Sequence, residues 1–432
     1  MSLDSKDKEF ILHPFTTYSA EKLNIPIIKG KAEFLYDQNG KEYIDAVSSW
    51  WVNLHGHSHP YINNKIAEQV NNLEHVMFSG FTNQPAVELA ERLLKNYLPA
   101  FSKIFYSDNG STAVEVALKM AIQYWKNRGL EKRKFIAFSN SYHGDTFGAM
   151  AVSERDVFTE PFHQHLFDVE YIPLPDENNL DEVMNLAEQV MKTNNVAGFI
   201  FEPLVQGAGG MRMYLGEHLE FLIRLCKDYD VLTIADEVMT GFGRTGKMFA
   251  IDHLKIKPDF ICLSKGITGG YMPLGVTAFT KEISKEFESS QASKTFYHGH
   301  SFTGNPISCT AALASLDLFE LENTFEKITT LRNNHLDFAD QLDLHEMVSD
   351  VRVCGSILAF DVKTEYNEYF YTNPLKQILT GYFLEQGIIM RPLGNVVYII
   401  PPYCITGESL NKVYQAIHKC LEFVSSKFSQ NG

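Results

Sequence analysis

Val231-Leu232-Thr233-Ile234-Ala235 runs straight into Asp236-Glu237, and Phe260-Ile261-Cys262-Leu263 runs into Ser264-Lys265-Gly266. Each is a short apolar run without polar alternation, the pattern of a strand covered on both faces, and such strands belong to parallel sheets flanked by helices. Each also stops on a residue that a buried strand would not choose for packing. In an open α/β sheet the ligand crevice lies outside the carboxyl ends of the strands, so Asp236 and Lys265 are expected to face one crevice.

The same order continues on both sides. Lys103 to Ser107, Lys134 to Phe138 and Val196 to Phe201 read as further strands, with helices at Ala113 to Asn127, Leu180 to Lys192 and Leu219 to Lys227. Upstream, Val87, Ala90, Leu93, Leu94 and Tyr97 recur at helical spacing. Ile27 to Tyr43 reads as two strands around Asp37-Gln38-Asn39-Gly40, where Asn-Gly supplies the positive φ angles of a hairpin turn. After Pro306 the chain turns helical, then gives strands near Ile357 to Val362 and Val396 to Ile400 and a last helix from about Ser409. The expected architecture is α/β: a large domain with a mainly parallel sheet over residues 60–310, and a small α+β domain over 311–432 to which the N-terminal segment 1–59 contributes.

With 432 residues, 45% hydrophobic and 21% charged, the chain has a globular composition and enough apolar material for a substantial core. A net charge of −15 without a block of Lys and Arg argues against a nucleic-acid binder and for a small-molecule substrate. Met1 to Glu9 alternates charged and polar residues, unlike a secretory signal, and Val196 to Phe201 is the best apolar run, far short of a membrane span. A soluble, cytoplasmic protein is expected. Cys226, Cys262, Cys309, Cys354, Cys404 and Cys420 are far apart, with no metal-ligand spacing, and read as reduced structural thiols. His143, His298 and His300 lack carboxylate or thiol partners at ligand spacing, so no metal is expected.

A strand-end lysine that is partly desolvated loses its preference for the ammonium form and can attack an aldehyde as the free amine. Lys265 is thus a candidate to hold pyridoxal 5'-phosphate covalently, and Asp236 to stabilise the proton on the cofactor's pyridine nitrogen. Ser107-Asp108-Asn109-Gly110-Ser111-Thr112 joins a strand to a helix, and amides at a helix start bind phosphate. Gly110 lets the backbone come close and Ser111 adds a hydroxyl. Tyr142, after another strand, can stack on the ring. Singly, each has an ordinary reading: Lys265 as a strand-end lysine, Asp236 as a helix cap, Gly110-Ser111 as a capping loop, Tyr142, Trp50 and Phe15 as packing aromatics, Arg391 as a surface cation.

Together the motifs resemble the class III, or ω-amino acid, aminotransferases of fold type I over nearly the whole chain. They are Asn109-Gly110-Ser111, Tyr142-His143-Gly144, Glu202-Pro203 with Gln206-Gly207, Asp236-Glu237-Val238 with Gly241-Phe242-Gly243-Arg244-Thr245-Gly246, and Ser264-Lys265-Gly266. The resemblance implies Lys265 as the catalytic Schiff-base lysine, with Asp236, Tyr142, Gly110 and Ser111 binding the cofactor. It also implies a homodimer in which His300 and Ser301 reach the phosphate of the neighbouring subunit. His13-Pro14-Phe15-Thr16, Ser48-Ser49-Trp50-Trp51 and Arg391-Pro392-Leu393-Gly394 narrow it to the branch that converts 8-amino-7-oxononanoate to 7,8-diaminononanoate in biotin biosynthesis. There Phe15, Trp50, Tyr142, Gly299 and Arg391 are implied to face substrate, and Arg391 suits a carboxylate as a bidentate clamp. S-adenosylmethionine is the donor expected and lysine the alternative, because Phe15 replaces a tyrosine common in relatives. His300-Ser301 departs from the more usual proline or serine followed by threonine. An enzyme of ornithine or 4-aminobutyrate type, and an aminomutase or decarboxylase on the same scaffold, stay open.

Overall fold

A strand buried on both faces must place consecutive side chains in two different apolar layers, and the two decisive strands do so. Ile234 and Cys262 pack in one cluster with Ala113, Val114 and Ala117 of the helix Gly110–Asn127, while Ala235 and Ile261 pack in the other with Leu219, Leu222 and Ile223 of the helix Gly216–Asp228. The computed structural model describes residues 2–19, 24–156, 159–364 and 373–429. Its central sheet has seven strands in the order Lys103–Ser107, Gly275–Phe279, Phe260–Leu263, Leu232–Asp236, Val196–Phe201, Lys134–Phe138, Val169–Ile172. All run the same way except Gly275–Phe279, which is antiparallel to both of its neighbours. The mainly parallel α/β sheet is therefore as expected, although the strands Gly275–Phe279 and Val169–Ile172 did not emerge from the sequence.

Among the described residues three smaller sheets accompany it, one of them only the pair Val205–Gln206 and Arg212–Met213. Val348–Cys354, Ile357–Val362 and Val396–Ile399 form an antiparallel sheet, and Ile388–Ile389 runs parallel to Glu42–Asp45 with Ile388 opposite Ile44 and Ile389 opposite Asp45. The N-terminal ribbon is thereby tied to the C-terminal part of the chain. Its expected two strands are three, Ile27–Lys31, Phe34–Asp37 and Glu42–Asp45, because Ala32 takes a φ of 50° and breaks the first. In the next turn only Gly40 has a positive φ; Asp37 Oδ1 accepts the Asn39 and Lys41 amides at 2.9 Å each and holds Asn39 without that conformation.

The helix expected from Ala113 begins at Gly110. Asn109 caps it, its Oδ1 accepting the Thr112 amide at 2.9 Å while Thr112 Oγ1 accepts the Asn109 amide at 3.1 Å. Gly110 and Ser111 consequently stand in the first turn, where backbone amides have no partner inside the helix. Among the described residues no helix is long and apolar enough to cross a membrane.

Candidate active site

Lys265 leaves the strand Phe260–Leu263 through Ser264 with a φ of 46°, and its half-buried side chain lays Nζ 4.6 Å from the centroid of the Trp51 ring. Burial lowers the pKa of its ammonium, partly offset by the nearby carboxylates of Asp236, Glu202 and Asp145. The neighbouring strand ends on Asp236, in register with Cys262, which brings both chain ends to one edge of the sheet.

Asp236 is 4% exposed. Its Oδ1 accepts the Val238 amide at 3.0 Å and its Oδ2 meets His143 Nδ1 at 2.7 Å. The carboxylate needs a donor, so the imidazole carries its proton on Nδ1, and His143 Nε2 is left buried without a partner. Glu202 faces the same space. Burial raises its carboxyl to about 7, although it accepts the Tyr142 and Gly207 amides at 3.2 and 2.8 Å.

These groups line a cavity of about 690 Å³ together with Asn109, Gly110, Ser111, Tyr142 and Thr146, so the amine, the buried acid and the helix start share one chamber. The chamber keeps its shape because two residues lack a Cβ. At Gly110 a Cβ would lie 2.6 Å from Val238 Cγ1, and at Gly144, whose φ is +131°, it would lie 2.2 Å from Ser111 Oγ. Ser111 Oγ sits 2.9 Å from Thr146 Oγ1 and accepts the Thr146 amide at 3.0 Å. A planar aromatic cation with a phosphate tail fits this donor set: helix amides and hydroxyls at one end, a buried carboxylate at the other.

A second cavity of about 480 Å³ adjoins the first, and Lys265, Trp51 and Tyr142 line both. Its other walls include Phe15, Trp50 and Arg391. The Arg391 guanidinium lies 3.7 Å from the Trp50 ring centroid, and Phe15 meets the same indole edge-on at 5.4 Å. The tryptophans stand on an unusual turn in which Ser48, Ser49, Trp50 and Trp51 have φ of 51°, 45°, 75° and 70°. L-residues disfavour this left-handed path by about 1–2 kcal/mol each, so the surrounding contacts must hold it. Trp51 Nε1 donates to Tyr398 Oη at 3.2 Å and Ser48 Oγ to the Ile400 carbonyl at 2.7 Å.

The family described as Aminotransferase class-III matches residues 17–421. The chain belongs to it. Among curated relatives, the adenosylmethionine-8-amino-7-oxononanoate aminotransferase of Synechococcus elongatus is 45% identical over 95% of this chain and 97% of its own length. That of Helicobacter pylori is 37% identical over 98% of each. The solved structure of the enzyme of that name from Methanocaldococcus jannaschii superposes with a TM-score of 0.92 at 38% identity, covering 97% of this chain and 98% of that one. An omega transaminase of Pseudomonas jessenii, solved in complex with PMP, superposes at 0.94 with 28% identity over the whole of both chains.

Within this class III fold, Gly110, Ser111, Tyr142, Asp236 and Lys265 converge on the first cavity, and Phe15, Trp50, Tyr142 and Arg391 on the second. Gly299, His300 and Ser301 line neither; the His300 amide donates to Thr303 Oγ1 at 3.1 Å, and Ser301 is exposed. Glu202 and Trp51 carried no role in the sequence reading. Each was visible only as part of a motif, since the sequence does not show that segments far apart in the chain, the turn Ser48–Trp51 and the end of the strand Val196–Phe201, bring them to Lys265. Among the described residues no group of three or more His, Cys, Asp or Glu is placed to hold a metal ion.

Proposed function

We propose that this chain is a pyridoxal-phosphate-dependent aminotransferase that converts 8-amino-7-oxononanoate to 7,8-diaminononanoate. The observation that carries the reading is the single chamber shared by the Lys265 amine, the buried Asp236 carboxyl and the helix start at Gly110, opening beside Arg391. The relatives of that name, up to 45% identical over nearly all of the chain, support the substrate.

When bound, pyridoxal 5'-phosphate supplies an aldehyde that takes up the amino group and a ring that withdraws electrons from it. Lys265 would hold the cofactor, and its amine is placed to carry a proton to and from the reacting carbon. Asp236, oriented by His143, keeps the ring nitrogen protonated. Gly110 and Ser111 anchor the phosphate and Tyr142 flanks the ring. Arg391 would clamp the substrate carboxylate over Trp50, with Phe15 against the same indole.

The reading includes a cytoplasmic homodimer, in which His300 and Ser301 complete the partner's phosphate site and Gly299 its substrate pocket. It also includes the division into residues 1–59, 60–310 and 311–432. The free cysteines agree with a reducing compartment. S-adenosylmethionine is the proposed donor and lysine its rival, since Phe15 offers a ring without a hydroxyl. The test offers each donor to the holoenzyme with 8-amino-7-oxononanoate and follows 7,8-diaminononanoate by mass. Product with either donor supports the reaction and decides the donor; product from neither, with turnover of ornithine or 4-aminobutyrate instead, refutes it.

A further inference from the structure

The left-handed turn that carries Trp50 has a fastening of its own, centred on Asp45 and His57, which line neither cavity. Asp45, at the end of the strand Glu42–Asp45, has a side chain with no exposed surface. Four donors converge on it: the Ser49 amide at 2.9 Å and the Val47 amide at 3.3 Å on Oδ1, Ser49 Oγ at 2.7 Å and His57 Nε2 at 2.9 Å on Oδ2. The protonation of His57 follows from its other neighbour. Asn53 Oδ1 accepts the Gly56 amide at 2.7 Å, so its NH2 group faces His57 Nδ1 at 3.2 Å; Nδ1 accepts, and Nε2 carries the proton toward Asp45. The sheet supplies the rest. Ile389 runs parallel to and opposite Asp45, so Arg391, two residues on, leaves the sheet from the same edge as the turn and meets the Trp50 face.

We propose that Asp45 and His57 are positioning residues for substrate recognition: the buried carboxylate, held by the imidazole, fixes the left-handed turn that sets Trp50 against the Arg391 guanidinium. The recognition role rests on the proposed function, while the geometry of the turn does not. Without the carboxylate the Ser49 and Val47 amides lose the acceptor they share. Trp50 then leaves the guanidinium, and the planar clamp loses the face that orients it.

The test compares Asp45→Asn, His57→Ala and His57→Gln as holoenzymes. Asparagine keeps the shape but has one acceptor oxygen in place of two, so whichever way its amide turns an NH2 group faces either the Ser49 and Val47 amides or the His57 Nε2–H; glutamine keeps an N–H for Asp45. For Asp45→Asn and His57→Ala the KM for 8-amino-7-oxononanoate rises at least tenfold while kcat stays within about threefold, and His57→Gln returns KM to within twofold of wild type. A second readout needs no substrate. Trp50 is one of three tryptophans; its emission shifts to the red and becomes more quenchable by acrylamide in Asp45→Asn, and the change vanishes in a Trp50→Phe background. An Asp45→Asn protein that folds and keeps the wild-type KM, or whose Trp50 emission does not move, overturns the proposal. Should Asp45→Asn not fold, His57→Ala against His57→Gln makes the same comparison. If wild type itself does not turn over the keto acid, the functional reading fails and the emission readout alone decides the role of Asp45.

Discussion

Arg391→Ala isolates one interaction, because the guanidinium is half-buried at the second cavity and packs on Trp50 at 3.7 Å. A hydrogen bond between charged partners contributes about 1.5–3 kcal/mol, and 1.36 kcal/mol is tenfold in rate, so kcat/KM for 8-amino-7-oxononanoate is expected to fall roughly 10- to 150-fold. The contact of the cation with the indole is made without substrate, so its loss, about 0.5–1 kcal/mol, bears on the stability of the pocket and is separate from that factor. The discriminating assay pairs the acid with its methyl ester. Wild type prefers the acid by about the same factor, whereas Arg391→Ala treats acid and ester nearly alike, since the ester offers no charge to clamp. Arg391→Lys falls between them, keeping the charge without the flat fork. An Arg391→Ala enzyme that still prefers the acid by tenfold or more would refute the clamp.

Gly144→Ala places a Cβ 2.2 Å from Ser111 Oγ at a φ of +131°, so affinity for pyridoxal 5'-phosphate should weaken more than tenfold, measured by fluorescence titration of the apoprotein. Glu202, raised by burial to about 7 from 4.5, keeps a proton in the folded state that the unfolded chain has already released. Stability is therefore lost as pH rises between those values, by about 3 kcal/mol, and is flat above them. Glu202→Gln removes that titration, so in urea unfolding of the apoprotein wild type should lose stability relative to the variant between pH 5 and pH 8; a constant difference would contradict the shift. Asp236→Asn removes the largest influence that raises the Lys265 pKa, so the pH at which Lys265 becomes reactive toward acetic anhydride in the apoprotein should move down.

The chemistry was legible where it coincided with a break in an apolar run. Asp236 ends one strand and Lys265 follows another by two residues, both strands buried on both faces, and a charged residue in such a place stands out in one dimension. The helix start at Gly110 was legible too, though three residues late, because Asn109 and Thr112 cap each other across Gly110-Ser111 and pull those residues into the first turn. Gly275–Phe279 was missed because its antiparallel partners are Phe260–Leu263 and Lys103–Ser107, the latter over 160 residues earlier, and because Gly275, Thr277 and Ala278 leave its five residues little apolar pattern. Trp51 was quoted in a motif without a role, since neither the left-handed turn nor its approach to Lys265 follows from local propensity: serine and tryptophan do not favour that conformation. Asp45 illustrates the same limit, since a carboxylate at the end of an exposed-looking ribbon gives no sign in sequence that four donors will surround it.

Borohydride bears most directly on the claim that the Lys265 amine meets the cofactor's aldehyde inside the first cavity. Adding it to the protein reconstituted with pyridoxal 5'-phosphate freezes any carbon–nitrogen double bond, and digestion with mass spectrometry then locates the adduct. A phosphopyridoxyl group on the peptide containing Lys265, and its loss in Lys265→Ala, is the predicted result. An adduct on another lysine, or none under conditions where a known aminotransferase is fully labelled, would contradict it.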